Sequence, residues 1–450
     1  MERPSPHLEG NSVTRGHSVA AHAGSVTSFV QNVLLSYDDV MHTGKGDAAE
    51  RTKTRRRIPV AVDASDISCG FAVGDDFERF SQIDDVFARS RYDPVVHSER
   101  SELFFSTYRK PLTEWRAAKG FQQNDYAFRN ATWHVADVFA EMYESRDRRD
   151  GFLDPLSMLR DGASGQVDLG TPTAAAAMIK HAARTAGADL VGVAAYDHRW
   201  TYTERFSVEA SGAKPNDLPD GLDQVIVIGQ AMDATLIETS PSALSGAATG
   251  MGYSQDAVVL LTIAQYLRNL GYQAVPSMND TALAVPYAIQ AGLGEYGKHG
   301  LVITPEFGTS VRFGKIFTDA PLAHDRPISF GVKEMCEICS ACVTGCPSKA
   351  IPDGAPTAER HNRSNLQGVT KWSIDGEKCF SYWTKINNDC SICVRVCPFT
   401  RDYTSARNRF WLRLAGSPLR RLALWLDRRQ GRGARRQAAT WWPSPLESNC

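Results

Sequence analysis

The chain has 450 residues, with 50 Lys and Arg against 51 Asp and Glu, a formal net charge of -1, 42% hydrophobic residues and ten cysteines. At roughly 150 residues per domain, this length suggests about three units and a sizeable core. The balanced charge removes a global electrostatic case for nucleic acid as the main partner, and no run of about 18 apolar residues marks a membrane span.

Residues 1–57 read as a polar N-terminal arm. Their most apolar run, Val26 to Tyr37, is broken by Thr27, Ser28, Gln31 and Asn32, which does not fit a secretory signal. Arg55-Arg56-Arg57 ahead of Ile58 to Val62 has the outline of a twin-arginine leader, but Asp63, Asp66, Asp75 and Asp76 cut the apolar stretch short. The expectation is a basic turn before a strand, in a cytoplasmic protein. Residues 58–169 read as an N-terminal unit. Phe104, Phe105, Tyr108, Trp115, Phe121, Tyr126, Phe128 and Trp133 are expected to pack in a core, and Thr132 to Tyr143 has helical spacing.

Residues 170–330 have an α/β pattern. Thr171-Pro172 starts a helix that Ala174 to Ala186 continues and Gly187 ends, and Leu190 to Ala194 follows as a buried strand. Val225 to Ile228 is a second strand, Ser254 to Leu270 an amphipathic helix with Gly271 as its cap, and Tyr272 to Val275 a strand stopped by Pro276. Gly292 to Gly300 is a glycine-rich loop. Leu301 to Thr304 and Val311 to Phe313 then suggest a strand, a turn and a strand.

Eight cysteines lie within residues 331–400, as Cys336-x2-Cys339-x2-Cys342-x3-Cys346-Pro347 and Cys379-x10-Cys390-x2-Cys393-x3-Cys397-Pro398. Each iron at a cubane corner needs one thiolate, and x2 spacing lets a tight loop offer three sulfurs to one face. The fourth cysteine, placed at the start of a short helix, crosses to the other cluster. Cys336, Cys339, Cys342 and Cys397 are therefore assigned to one [4Fe-4S] cluster, and Cys379, Cys390, Cys393 and Cys346 to the second. Disulfides fit this clustering poorly, and paired zinc knuckles do not explain two x3-Cys-Pro endings. Cys69 and Cys450 are read as free thiols. Two clusters in series carry single electrons, so the α/β part is expected to hold their destination.

Taken with Met251-Gly252-Tyr253-Ser254, Ser277-Met278-Asn279-Asp280, the run Leu293 to Gly308, Val311-Arg312 and Phe317 to Leu322, these motifs make the chain resemble the corrinoid-dependent reductive dehalogenases. The resemblance covers roughly residues 170–400 well and the N-terminal third loosely. It implies an α/β (α+β) fold, with a nitroreductase-like corrinoid-binding core over 170–330 and a ferredoxin-like two-[4Fe-4S] segment over 331–400. It implies a cobalamin bound base-off without a protein axial ligand, and an organohalide substrate, with a halogenated aromatic preferred by analogy. Electrons would come from a separate low-potential ferredoxin, flavodoxin or reductase.

Carried over residue by residue, the resemblance makes Tyr253 the proton donor, Arg312 the cation that stabilises its phenolate and Asn279 a polar residue facing the substrate. Lys315 is the fallback cation. Thr249 and Trp383 fall where the family lines its pocket. Gly294, Gly297 and Gly300 are read as letting backbone approach the corrin ring, with Thr304, Pro305 and Glu306 continuing that wall. His299 is expected to bond backbone in this loop rather than to ligate cobalt.

Residues 401–450 form a basic, aromatic tail. Its leucines are expected to pack on the body, with Gly416 and Pro418 breaking the helix, although such a segment also suits an anionic membrane surface or a partner. Two other readings compete. An epoxyqueuosine reductase, which acts on tRNA, would show a basic binding face and C-terminal helical repeats, and no repeat is visible. A polyferredoxin-like carrier would leave the α/β part and the Tyr253, Asn279 and Arg312 set unexplained.

Overall fold

The computed structural model describes residues 60–61, 70–109, 118–141, 159, 161–207, 212–216, 218–431 and 433–443. The expectations for residues 1–57, Trp115, Cys69 and Cys450 lie outside them. Helices α1 (Val86–Tyr92), α2 (Glu99–Arg109), α3 (Gln123–Glu141) and α4 (Pro172–Thr185) precede strand β1 (Leu190–Ala195). Strand β2 (Gln224–Ala231), helix α5 (Ala243–Asn269), strand β3 (Ala274–Ser277), helix α6 (Ala284–Gln290), short strands β4 (Glu295–Tyr296) and β5 (Val302–Ile303), and strand β6 (Val311–Thr318) follow. Helices α7 (Val332–Ile338), α8 (Ala341–Gly345), α9 (Gly376–Ile386), α10 (Ile392–Val396), α11 (Ala406–Ala415) and α12 (Arg420–Arg429) complete the chain order used below. Among the described residues no helix is long and apolar enough to cross a membrane.

The centre is a four-stranded sheet in the order β1-β2-β6-β3, antiparallel throughout. Successive side chains of a strand point to opposite faces, and both faces here are apolar. Val225 and Val227 enter one core cluster with Tyr287, Tyr296 and Ile303, whereas Ile226 and Ile228 enter another with Tyr253, Leu260 and Ile179. Helices α4 and α5 cover the second face. Helix α6 and the β4–β5 pair cover the first. At roughly 1.5–3 kcal/mol for each large apolar side chain buried, this double burial fixes the strand register.

Local chemistry sets the helix ends. The Thr171 hydroxyl accepts from the Ala174 N–H at 3.3 Å with Pro172 in the first turn, and Gly187 follows the end of α4 at φ +110°. Gly271, at φ +85°, follows α5 as expected.

Three expectations need correction. Helix α5 starts at Ala243, eleven residues before Ser254, because Gly246, Gly250 and Gly252 weaken the helical signal. A Cβ at those positions would come within 2.5 Å of Asp389, 2.5 Å of Trp133 and 2.7 Å of Arg312, so the glycines admit close neighbours. Pro276 does not stop β3 but lies inside it opposite Ile316, on a sheet edge where its missing N–H costs no ladder bond. Nor do the strands flanking Pro305 pair with each other: β5 pairs with β4, and β6 runs on to Thr318 between β2 and β3.

The strand expected after Arg55-Arg56-Arg57 is Val60–Ala61, paired with Ile328–Ser329. In the tail, α11 ends at Ala415 and α12 begins at Arg420, on either side of Gly416 and Pro418. Leu412 and Leu424 pack inward, whereas Leu419, Leu422 and Trp425 are exposed.

Candidate functional site

Tyr253 sits in the middle of α5, Arg312 at the second position of β6 and Asn279 in the turn after β3. The Asn279 amide donates to the Tyr253 hydroxyl at 2.6 Å, and the Arg312 guanidinium lies 4.2 Å from the centre of the Tyr253 ring. The Trp133 ring packs at 5.0 Å. The amide donates to the phenol oxygen and the guanidinium lies over the ring, and both neighbours favour a phenolate. Burial pulls Arg312 down to about 10, against a raising influence from Asp389, so it stays cationic at neutral pH. Lys315 is turned away: its ammonium donates to the Met278 carbonyl and faces Asp280 and Asp256.

Thr249, one turn before Tyr253, donates to Asp389 at 2.9 Å, and Tyr108 donates to the other oxygen of the same carboxylate at 3.0 Å. Trp383, on α9, packs beside Phe87 and Phe104 at 5.4 and 6.2 Å. Phe104 in turn meets Tyr108, and Tyr108 meets Trp133, at 5.2 and 5.3 Å. Helices α2 and α3 thus supply an aromatic wall. Tyr108, Trp133 and Asp389 were not singled out as site residues. The only signal for Asp389 was its position before Cys390, and for the two aromatics their ordinary core character.

The Gly294 to Glu306 run lies over the other face of the sheet, among the cluster of Leu293, Tyr296 and Ile303. Its end leads through Thr309 and Ser310 into β6, which brings Thr304, Pro305 and Glu306 toward the edge where Arg312 stands. The glycines have a packing reason of their own. A Cβ at Gly294 would meet the Ile303 carbonyl at 2.2 Å, one at Gly297 the His299 ring at 2.8 Å, and one at Gly300 the Ile374 side chain at 2.4 Å. The chain's own packing requires them. Thr304 closes the turn through reciprocal backbone bonds with Gly308. His299 Nδ1 accepts from the Leu301 N–H at 3.2 Å, and burial holds the ring down at about 4. A cavity of ≈ 190 Å³ lies beside Tyr296, Gly300 and Lys371. That is below the roughly 300–1,000 Å³ of ordinary ligand pockets.

The cysteine thiols act on one another in two groups. Burial raises Cys397, and its further raising influences are Cys336, Cys342 and Cys339. Burial also raises Cys393, followed by Cys390 and Cys379, then Cys342 and Cys346. Cys379 and Cys390 both feel Cys346 and are pushed up to about 12, burial being the first cause. These couplings follow the crossed sets read from the spacing, apart from the Cys342 influence on Cys393. One detail differs: Cys346 and Cys397 cap the ends of α8 and α10, not the starts of helices. Among the described residues no three His, Cys, Asp or Glu side chains converge on a single ion.

Residues 335–400 match a 4Fe-4S double cluster binding domain, and residues 213–322 match the reductive dehalogenase subunit. The chain resembles the reductive dehalogenases. The tetrachloroethene reductive dehalogenase of Sulfurospirillum multivorans is 36% identical over 296 residues, 60% of this chain and 59% of that one. The chain therefore spans less than two thirds of this dehalogenase. The solved catabolic reductive dehalogenase NpRdhA, in complex with 3-bromo-4-hydroxybenzoic acid, shares the fold at a TM-score of 0.65 and 21% identity, over 86% of this chain and 50% of that one. An epoxyqueuosine reductase of Lactococcus garvieae is 33% identical over 135 residues, only 29% of this chain and 36% of its own.

Proposed function

We propose that this chain reduces an organohalide, R–X plus two electrons and a proton giving R–H plus halide, with electrons relayed through two [4Fe-4S] clusters to a bound corrinoid. The observation that carries the reading is the Tyr253 phenol held between the Asn279 amide and the Arg312 guanidinium. A free phenol, at about 10, is a poor acid for a carbon centre. One hydrogen bond to its oxygen and one cation over its ring both stabilise the phenolate it leaves behind. In this reading Tyr253 gives its proton to the carbon that loses halide, and Arg312 and Asn279 are its positioning and stabilising groups.

The residues fit a corrinoid on two counts. Arg312 Nε and His299 Nε2 are buried without a hydrogen-bond partner, which leaves two donors for a bound group to satisfy. With Nδ1 of His299 accepting from Leu301, the neutral ring carries its proton on Nε2. That nitrogen has no lone pair to offer, which supports a corrinoid without a histidine ligand from this loop. When bound, the corrinoid supplies the reducing equivalents at the carbon–halogen bond. Arg312, His299 and the Thr304 to Glu306 wall would hold it, and Thr249, Trp383 and the aromatic wall would bind the substrate and exclude water.

The eight thiols support two clusters because five are buried and three half-buried, in the two x2-spaced groups. The donor is proposed to be a separate low-potential carrier. Reconstitution of the full chain with iron, sulfide and cobalamin should give about eight irons and about one cobalt. Halide should then be released from a halophenol or a haloalkene with a strong reductant. Iron-replete chain that binds no cobamide, or that acts on epoxyqueuosine in tRNA instead, overturns the reading.

A further inference from the structure

We propose that the exposed face of α11 and α12 is the docking site for an acidic one-electron carrier protein. This rests on the electron-relay part of the reading above and assigns it a place on the surface.

The two helices carry seven arginines and one acidic residue, Asp427. That residue is buried and already paired with Arg401, so the outward charge is positive throughout. Arg407 and Arg413 on α11, and Arg421, Arg428 and Arg429 on α12, are all exposed. Among them Phe410, Leu419 and Trp425 are 58%, 57% and 48% exposed. On α12 the exposed positions 421, 422, 425, 428 and 429 repeat at one helical turn and form a single stripe. Large apolar side chains ringed by arginines have the composition of a protein interface core. The sign of the charge selects an acidic partner.

The face is also held against one of the proposed clusters. Asp427 and Arg428 both act on the Cys339 thiol, so the last turns of α12 lie within electrostatic reach of it. On the inner side of α11, Trp411 packs against Phe399, two residues after Cys397, at 5.5 Å. A Cβ at Gly416, between the helices, would come within 2.7 Å of the Phe330 carbonyl, close to the start of α7. Cys336, Cys339 and Cys397 thus sit behind this helix pair. A partner seated on it would bring its own redox centre near theirs, which a lipid surface would not do. Each docking moves one electron: the carrier loses it, and the cluster held by Cys336, Cys339, Cys342 and Cys397 gains it.

The test uses the cluster-loaded full chain and a reduced, acidic plant-type [2Fe-2S] ferredoxin as probe, without corrinoid or organohalide. Cluster bleaching and ferredoxin binding by anisotropy are followed as salt is raised. For the native chain the bimolecular rate should fall steeply with ionic strength. Arg413→Glu with Arg421→Glu should lower both the rate and the affinity roughly tenfold or more. Arg413→Lys with Arg421→Lys should stay within about twofold. Photoreduction by deazaflavin, which needs no docking, should be equal in all three and shows that the clusters are intact. Equal rates for the native and charge-reversed chains, or a rate indifferent to salt, would overturn the proposal. So would binding to phosphatidylserine vesicles that the charge reversal abolishes while ferredoxin reduction persists. Because no halide is measured, failure here is distinct from failure of the dehalogenation reading.

Discussion

The sheet and the cysteine segment are specified by different forces. In the sheet, alternating Val225, Ile226, Val227 and Ile228 feed two apolar clusters, and register follows from burial alone. In residues 336–397 the helices α7, α8 and α10 are only five to seven residues long, too short to persist without tertiary support. Their neighbours are thiols that burial drives toward the neutral form. Hydrophobic order therefore belongs to the chain itself, whereas order in the cysteine segment is proposed to depend on iron replacing those protons.

The sharpest way to break this comparison is Cys393→Ser. Iron should drop from about eight to about four per chain, with loss of electron relay, while the far-ultraviolet signal of the sheet and its helices remains. A parallel collapse of both would show that the two regions are one folding unit. Next in size, Tyr253→Phe should slow halide release by roughly 10²–10⁴-fold. Cobamide binding and iron content, read by cobalt and iron analysis, should stay unchanged, and a Michaelis analysis with a halophenol should place the loss in kcat.

Gly250→Ala addresses the packing side. Its Cβ would lie 2.5 Å from Trp133, so stability should fall by about 1–3 kcal/mol, read as a lower melting temperature. The smallest effect concerns pH. Burial pushes Glu295 up from 4.5 to about 7, opposed by bonds from the Phe330 and Val332 N–H groups and the Ser329 hydroxyl. Between those values the folded chain keeps a proton that the unfolded chain has released. Its contribution is full below 4.5 and is lost as pH rises through 7. Thermal melts of Glu295→Gln should lack this slope.

Much of the core was legible in the sequence because its forces are local and periodic. Helix α4 shows its cap and its terminating glycine, and β1 and the Val225 to Ile228 centre of β2 are apolar runs. The first half of α5 was not legible, since three glycines that weaken a helix are needed for partners distant in sequence, two of them more than 100 residues away. The same distance hid the Asp389 link between Thr249 and Tyr108, because a carboxylate in a cysteine gap carries no periodic signature. Lys315 stands as the fallback for Arg312 until their strand is placed. Three residues apart, they fall on opposite sides of β6, and only Arg312 meets the phenol ring.

The row of small residues on α5 also limits how far the molecule can be cut down. Helix α3 lies in the groove left by Gly246 and Gly250, with the Trp133 indole N–H donating to the Gly246 carbonyl at 3.2 Å. A fragment limited to residues 213–322 would keep Tyr253, Asn279 and Arg312 yet present that bare ridge to water. Any shortened version meant for crystallography or screening should start upstream of residue 118, so that the ridge keeps its lid.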